Sequence, residues 1–129
     1  MSLLLDAYYL ISAEHNPMGF HEDYVFMHFI PERMPDEEQT PRENVATLVR
    51  INHMGNKRSD YASNRSNAVT TGIQVQVWFN YDDPLADKYD EILHKYMEES
   101  GFYAIADSYI DKDPDIEKLY LTAKFNKKG

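Results

Sequence analysis

Residues 70–128 read TTGIQVQVWFNYDDPLADKYDEILHKYMEESGFYAIADSYIDKDPDIEKLYLTAKFNKK, and this stretch decides the fold. Ile73, Val75, Val77 and Phe79 alternate with Gln74, Gln76 and Trp78, the period of two that a strand shows when one face packs on a core. Asp82-Asp83-Pro84 reads as a helix start, with Asp83 as N-cap and Pro84 in the first turn, where a missing N–H does no harm. Leu85, Tyr89, Ile92, Leu93, Tyr96 and Met97 then form one apolar stripe. Ser100-Gly101 stops the helix, glycine being free to take positive φ. Phe102–Tyr109 is a second strand, Asp111-Lys112-Asp113-Pro114-Asp115 a turn, and Leu119, Leu121, Ala123 and Phe125 alternate with polar neighbours in a third strand. Two consecutive strands joined this closely form an antiparallel hairpin.

Upstream, Leu3, Leu4, Ala7, Tyr8 and Ile11 follow helical spacing, with Ser2 or Asp6 available as cap. Asn16-Pro17-Met18-Gly19 ends that segment. Tyr24–Ile30 is rich in β-formers, closes at Pro31 and reads as a strand able to bury both faces. Residues 31–44 hold three prolines and an acidic balance, so they read as a loop with little core material. Val45–Ile51 is the next strand. Residues 53–68 follow as a polar loop rich in Asn and Ser, long enough to suggest function or mobility. No repeated strand–helix–strand alternation appears, which argues against a doubly wound parallel sheet. The expected fold is α+β: one domain over 1–129, a mainly antiparallel sheet of four to five strands, two helices on one face, and long loops at 31–44 and 53–68.

At 129 residues the chain can bury a single core without staples. It has no cysteine, which removes disulfides, thiolate metal ligands and a cysteine nucleophile. The net charge of −9 repels phosphate, so nonspecific nucleic-acid binding is disfavoured unless the cations segregate. No apolar run approaches the roughly 20 residues of a membrane span, and the start lacks the basic n-region of a signal peptide. A soluble, intracellular product is expected.

The candidate chemistry is sparse. His15, His21, Glu22, Asp23 and His28 put imidazoles and carboxylates close in sequence, as a divalent-metal site would. The i, i+4 histidine pair of a helical zinc motif is missing, and the residues straddle a turn and a strand, so scattered solvent-facing groups are the plainer reading. Asp111, Asp113 and Asp115 resemble a calcium loop, but Ile116 and Thr122 stand where its Gly and Glu belong. Turn chemistry explains them better. No GxSxG, P-loop or GxGxxG occurs, and no spacing of Ser, His and Asp suggests a triad. The residues therefore point to no reaction, no catalytic set, no metal ligand set and no cofactor.

Two features suit interaction instead. Asn56, Lys57, Arg58, Tyr61 and Arg65 put three cations and a tyrosine into one loop of an acidic chain; a solvated hairpin tip is the dull alternative. Trp78, Tyr103, Tyr109 and Tyr120 fall on strand faces opposite the inferred core, where they either pack half-buried under a helix or meet a second subunit.

The order of these parts resembles a known family. Met54-Gly55-Asn56 precedes the strand Gly72-Ile73-Gln74-Val75-Gln76-Val77-Trp78-Phe79. An acidic-capped helix closes at Ser100-Gly101-Phe102. Tyr109-Ile110-Asp111-Lys112-Asp113-Pro114-Asp115 then leads into Leu119-Tyr120-Leu121-Thr122-Ala123-Lys124-Phe125. This arrangement resembles the small tail-completion, or tail-to-head joining, proteins of long-tailed phages and prophages of Gram-positive bacteria, relatives of tail terminators. The resemblance covers residues 54–128 best. It implies a structural virion protein without an active site, made in the bacterial host cytoplasm and placed in the tail neck. It further implies a homo-oligomeric ring, usually a hexamer, between tail-tube and head-connector proteins, through which DNA passes without specific binding. By position, the Lys57–Arg65 loop and the strand edges would be contact surfaces. A small metal-binding enzyme using His15, His21, Asp23 and His28, and an intracellular adaptor docking a partner on a sheet edge, are the competing expectations.

Overall fold

The computed structural model describes residues 2–54 and 72–127 throughout, and 57–59 and 68–70 in their strand pairing. The elements in chain order are α1 (Leu3–Ile11), β1 (Val25–Met27), β2 (Thr47–His53), β3 (Lys57–Ser59), β4 (Ala68–Thr70), β5 (Ile73–Phe79), α2 (Tyr89–Glu99), β6 (Phe102–Ala104), β7 (Tyr109–Lys112) and β8 (Leu119–Lys127). Short 3-10 turns stand at Glu22–Tyr24 and Arg42–Asn44. The fold is α+β, with a main sheet of six strands ordered β1-β2-β5-β8-β6 and β7 also on β8. That is somewhat larger than the expected four to five strands. Every pairing in it is antiparallel except β1 with β2.

Both helices pack on one face. Leu4, Ala7 and Ile11 of α1 and Tyr89, Leu93 and Met97 of α2 share a core with Val49, Ile51, Ile73, Val75, Val77, Phe79, Leu121, Ala123 and Phe125. The Ser2 hydroxyl, not Asp6, caps α1 by accepting from the Leu5 N–H at 3.1 Å. The Tyr96 hydroxyl ties the helices together by donating to the Leu10 carbonyl at 2.7 Å.

The opposite face is not open, as simple alternation along β5 would have it. Gln76 and Trp78 are buried as well, Trp78 packed with Met34 of the 31–44 segment and Gln76 held between Arg50 and Thr122. Met34, expected in a loop poor in core material, is buried with Val45, Leu48 and Trp78 in a second apolar cluster. The segment is shaped locally: the Asp36 carboxylate accepts from the Thr40 N–H at 2.9 Å and hydroxyl at 2.7 Å, and Arg33 bridges to Pro41. This layer is what lets β1 return parallel to β2, a connection that needs a crossover.

Other boundaries move for identifiable reasons. The Tyr24–Ile30 strand shrinks to Val25–Met27: the His21 ring accepts from the Asp23 N–H and opens a 3-10 turn before it. His28 takes φ +75 and turns the chain away after it. Asp83 does not cap a helix. Its carboxylate accepts from the Leu85 N–H at 2.8 Å and from the Tyr89 hydroxyl at 2.8 Å, holding tight turns over 80–88, and α2 starts at Tyr89. Leu85 consequently leaves the buried stripe and is exposed. The Phe102–Tyr109 strand splits into β6 and β7, both antiparallel to β8. The Ser108 hydroxyl between them is drawn off the sheet edge to the Asp90 carboxylate of α2 at 2.7 Å.

The 53–68 loop also contains regular structure. β3 and β4 pair antiparallel, Lys57 with Thr70, Arg58 with Val69 and Ser59 with Ala68, and the Met54 N–H donates to the Gly72 carbonyl at 3.0 Å. The β2–β5 pair thus runs on into a hairpin arm.

Candidate interaction surface

The strand register sets out the face away from the helices in rows. Phe26, Arg50, Gln76, Thr122 and Tyr109 form one row; Leu48, Trp78, Tyr120 and Asp111 form the next. Across the first row the Arg50 guanidinium donates to the Gln76 side-chain oxygen, and the Gln76 amide donates to the Thr122 hydroxyl at 3.2 Å. Buried polar groups linked this way fix each other's rotamers. In the second row the Trp78 ring stacks on Tyr120 at 5.4 Å, with the Arg50 guanidinium 5.3 Å above the indole. The indole N–H donates to the Asp113 carboxylate at 2.7 Å.

Beside this stack lies a pocket of about 230 Å³ whose walls include Arg42, Arg50, Asp113, Asp115 and Phe29. Burial pushes the Asp113 carboxyl up. The Asp115 N–H, the Trp78 indole, the Ile116 N–H and the nearby Arg42 charge outweigh it and leave the group below its ordinary value. Arg42 is committed to the Ile30 carbonyl at 3.1 Å. Asp113 and Arg42 are thus engaged within the chain and clamp the covering loops, while the buried Arg50 Nε has no partner among the described residues.

The outer edge of the sheet differs. All four residues of β7 are exposed, with Tyr109 at 47% and Ile110 at 48% of full accessibility and Tyr103 of β6 at 38%. An edge strand carries unpaired backbone N–H and C=O groups, and apolar side chains along it favour pairing with another chain.

The sequence-derived candidates separate accordingly. Trp78 is buried by its own chain, under a loop instead of a helix, and Tyr120 is half-buried against it. Tyr103 and Tyr109 are exposed on the edge. Lys57 and Arg58 lie on β3, while Asn56, Tyr61 and Arg65 lie outside the described residues. The histidines do not converge: the His15 ring faces Tyr96, His21 pairs with Asp23 at 3.7 Å, and His28 lies beside His53 with ring centres 6.2 Å apart. Among the described residues no three His, Asp or Glu side chains are grouped to hold a metal ion. Asp113 accepts from the N–H groups of Asp115 and Ile116, the turn chemistry expected there, whereas Asp111 and Lys112, expected in the same turn, lie on β7 in register with Tyr120 and Leu119.

Ile110, Phe29 and Lys118 were not singled out by sequence. Phe29 is 69% exposed, a consequence of the left-handed turn at His28 that no pattern announces. Ile110 carried a weak signal, an apolar residue next to a strand-face tyrosine. Comparison of the chain with protein-family models, curated proteins and solved structures gives no match in any of the three.

Proposed function

We propose that this chain is a virion-assembly protein, a neck or tail-completion component that forms a ring and joins a phage or prophage tail to its head without catalysis. The observation that carries the proposal is the β6–β7 edge: Tyr103, Tyr109 and Ile110 stand exposed on a sheet margin that has no outer strand neighbour among the described residues and so offers backbone groups to an added strand. A ring needs a heterologous contact, two different patches on each copy that fit each other, and closure limits its growth. The resemblance in element order over residues 54–128 supports the same reading. Partners are then further copies of the chain, a tail-tube protein and a head connector. The net charge of −9 suits a passage that DNA crosses without adhering.

An adaptor that binds one foreign strand would use the same edge, and stoichiometry separates the two readings. Electron microscopy of the chain mixed with a cognate tail-tube protein is expected to show closed rings capping tube ends. Isolated particles of one chain per partner, with no rings, would favour the adaptor and contradict the ring.

A further inference from the structure

The edge and the hairpin arm carry opposite charge. Residues 54–70 hold Lys57, Arg58 and Arg65 against the single anion Asp60, in a chain whose net charge is −9. The outer margin carries Asp107 and Asp111, both exposed, and continues into exposed Asp115, with Lys112 as its one cation. Acidic residues on a free edge keep two identical edges apart, since like charges directly opposed are repelled. They leave a basic strand as the fitting complement.

Position sets β7 apart from the arm of its own chain, although the margin before it comes nearer, Ile105 standing against Gly72 at the arm's root. Tyr109 and Lys112 lie in register with Thr122 and Leu119, and through β5 with Arg50 and Thr47. The arm departs beyond His53 and Ile73, at the other end of the sheet. An arm strand paired along β7 therefore belongs to a separate copy.

We propose that β7 of one copy receives the β3 side of another copy's hairpin arm as an added strand, the acid-rich margin of one copy being matched in charge to the cation-rich segment of the other. The contact is heterologous: each copy offers an arm at one end and an edge at the other, the geometry that propagates and closes. It rests on the assembly reading only in supplying that reading with a specific interface.

The chain has no cysteine, so introduced thiols report cleanly. A short bis-maleimide linker, which tolerates a one- or two-residue offset, is applied to a mixture of Ile110→Cys and Ser59→Cys variants at high protein concentration. The mixed dimer is expected to form, with little Ile110→Cys self-dimer. Lys57→Glu with Arg58→Glu in the arm variant, or Asp107→Lys with Asp111→Lys in the edge variant, lowers its yield about tenfold. Combining reversed arm with reversed edge restores it. Equal yields of mixed dimer and edge self-dimer, or yields indifferent to the reversals, overturn the proposal. The two readings fail separately. Rings on tail tubes without the mixed cross-link sink this contact and spare the neck assignment; the cross-link without rings does the reverse.

Discussion

Lys118 keeps only 2% of its surface exposed and donates from Nζ to the Asn80 side-chain oxygen at 2.6 Å. Burial holds its ammonium below the ordinary lysine value. The unfolded chain therefore binds that proton more tightly than the native one, and stability rises with pH until the unfolded value near 10.5 is passed. Lys118→Met keeps the volume and loses one hydrogen bond, a change of about 1 kcal/mol, so it should melt close to the parent at neutral pH. Thermal melts between pH 7 and 10 should show a shallower rise for the variant; an unchanged slope would refute the assignment.

Tyr89 has the opposite sign. Burial, opposed next by a hydrogen bond with Thr47 and joined by the Asp83 carboxylate, pushes its phenol up to about 12. The native state holds this proton where the unfolded state has released it, so the contribution is intact below pH 10 and is lost as pH climbs toward 12. Tyr89→Phe should cost about 1 kcal/mol at pH 8 through the lost bond to Asp83 and should flatten the alkaline decline. Denaturant titrations at pH 8 and pH 11 test both halves.

Among elements, the joint between the main sheet and the arm is the most constrained. A Cβ on Gly72 would stand 2.8 Å from the Phe125 carbonyl oxygen and 2.9 Å from the Ile105 side chain. The backbone oxygen cannot yield, so Gly72→Ala should destabilise by about 1–3 kcal/mol, measurable as a lower urea midpoint. The second apolar layer is tested by Trp78→Ala, which removes the platform under the 31–44 segment. It should lose about 3–5 kcal/mol, and amide exchange should quicken first at Met34 and Thr40.

Legibility at this scale followed how local the causes were. β5, β8 and the apolar stripe of α2 show in the sequence because their periodicity is their cause. Tyr103 and Tyr109 were placed on the right face for the same reason. The start of α2 was not legible: Asp83 has the composition of a cap but spends its carboxylate on Leu85 and Tyr89. The split of the edge strand was hidden too, since it depends on Ser108 reaching Asp90 across 18 residues. Residues 31–44 look like an uncommitted loop until Met34 is seen against Trp78, a contact between segments far apart in sequence.

At the scale of the whole molecule, one sheet face is closed by helices and much of the other by a loop layer. The outer edge keeps apolar side chains in solvent, and the basic arm leaves from the far end. On the proposed assembly, these two patches meet in neighbouring copies and assembly is the protein's work. Native mass spectrometry of the chain mixed with a cognate tail-tube protein tests this most directly. A dominant species containing a closed set of copies is expected, broken down to monomers when Asp107 and Asp111 are replaced by lysine. A spectrum holding only monomers, or only one chain per partner, would contradict it.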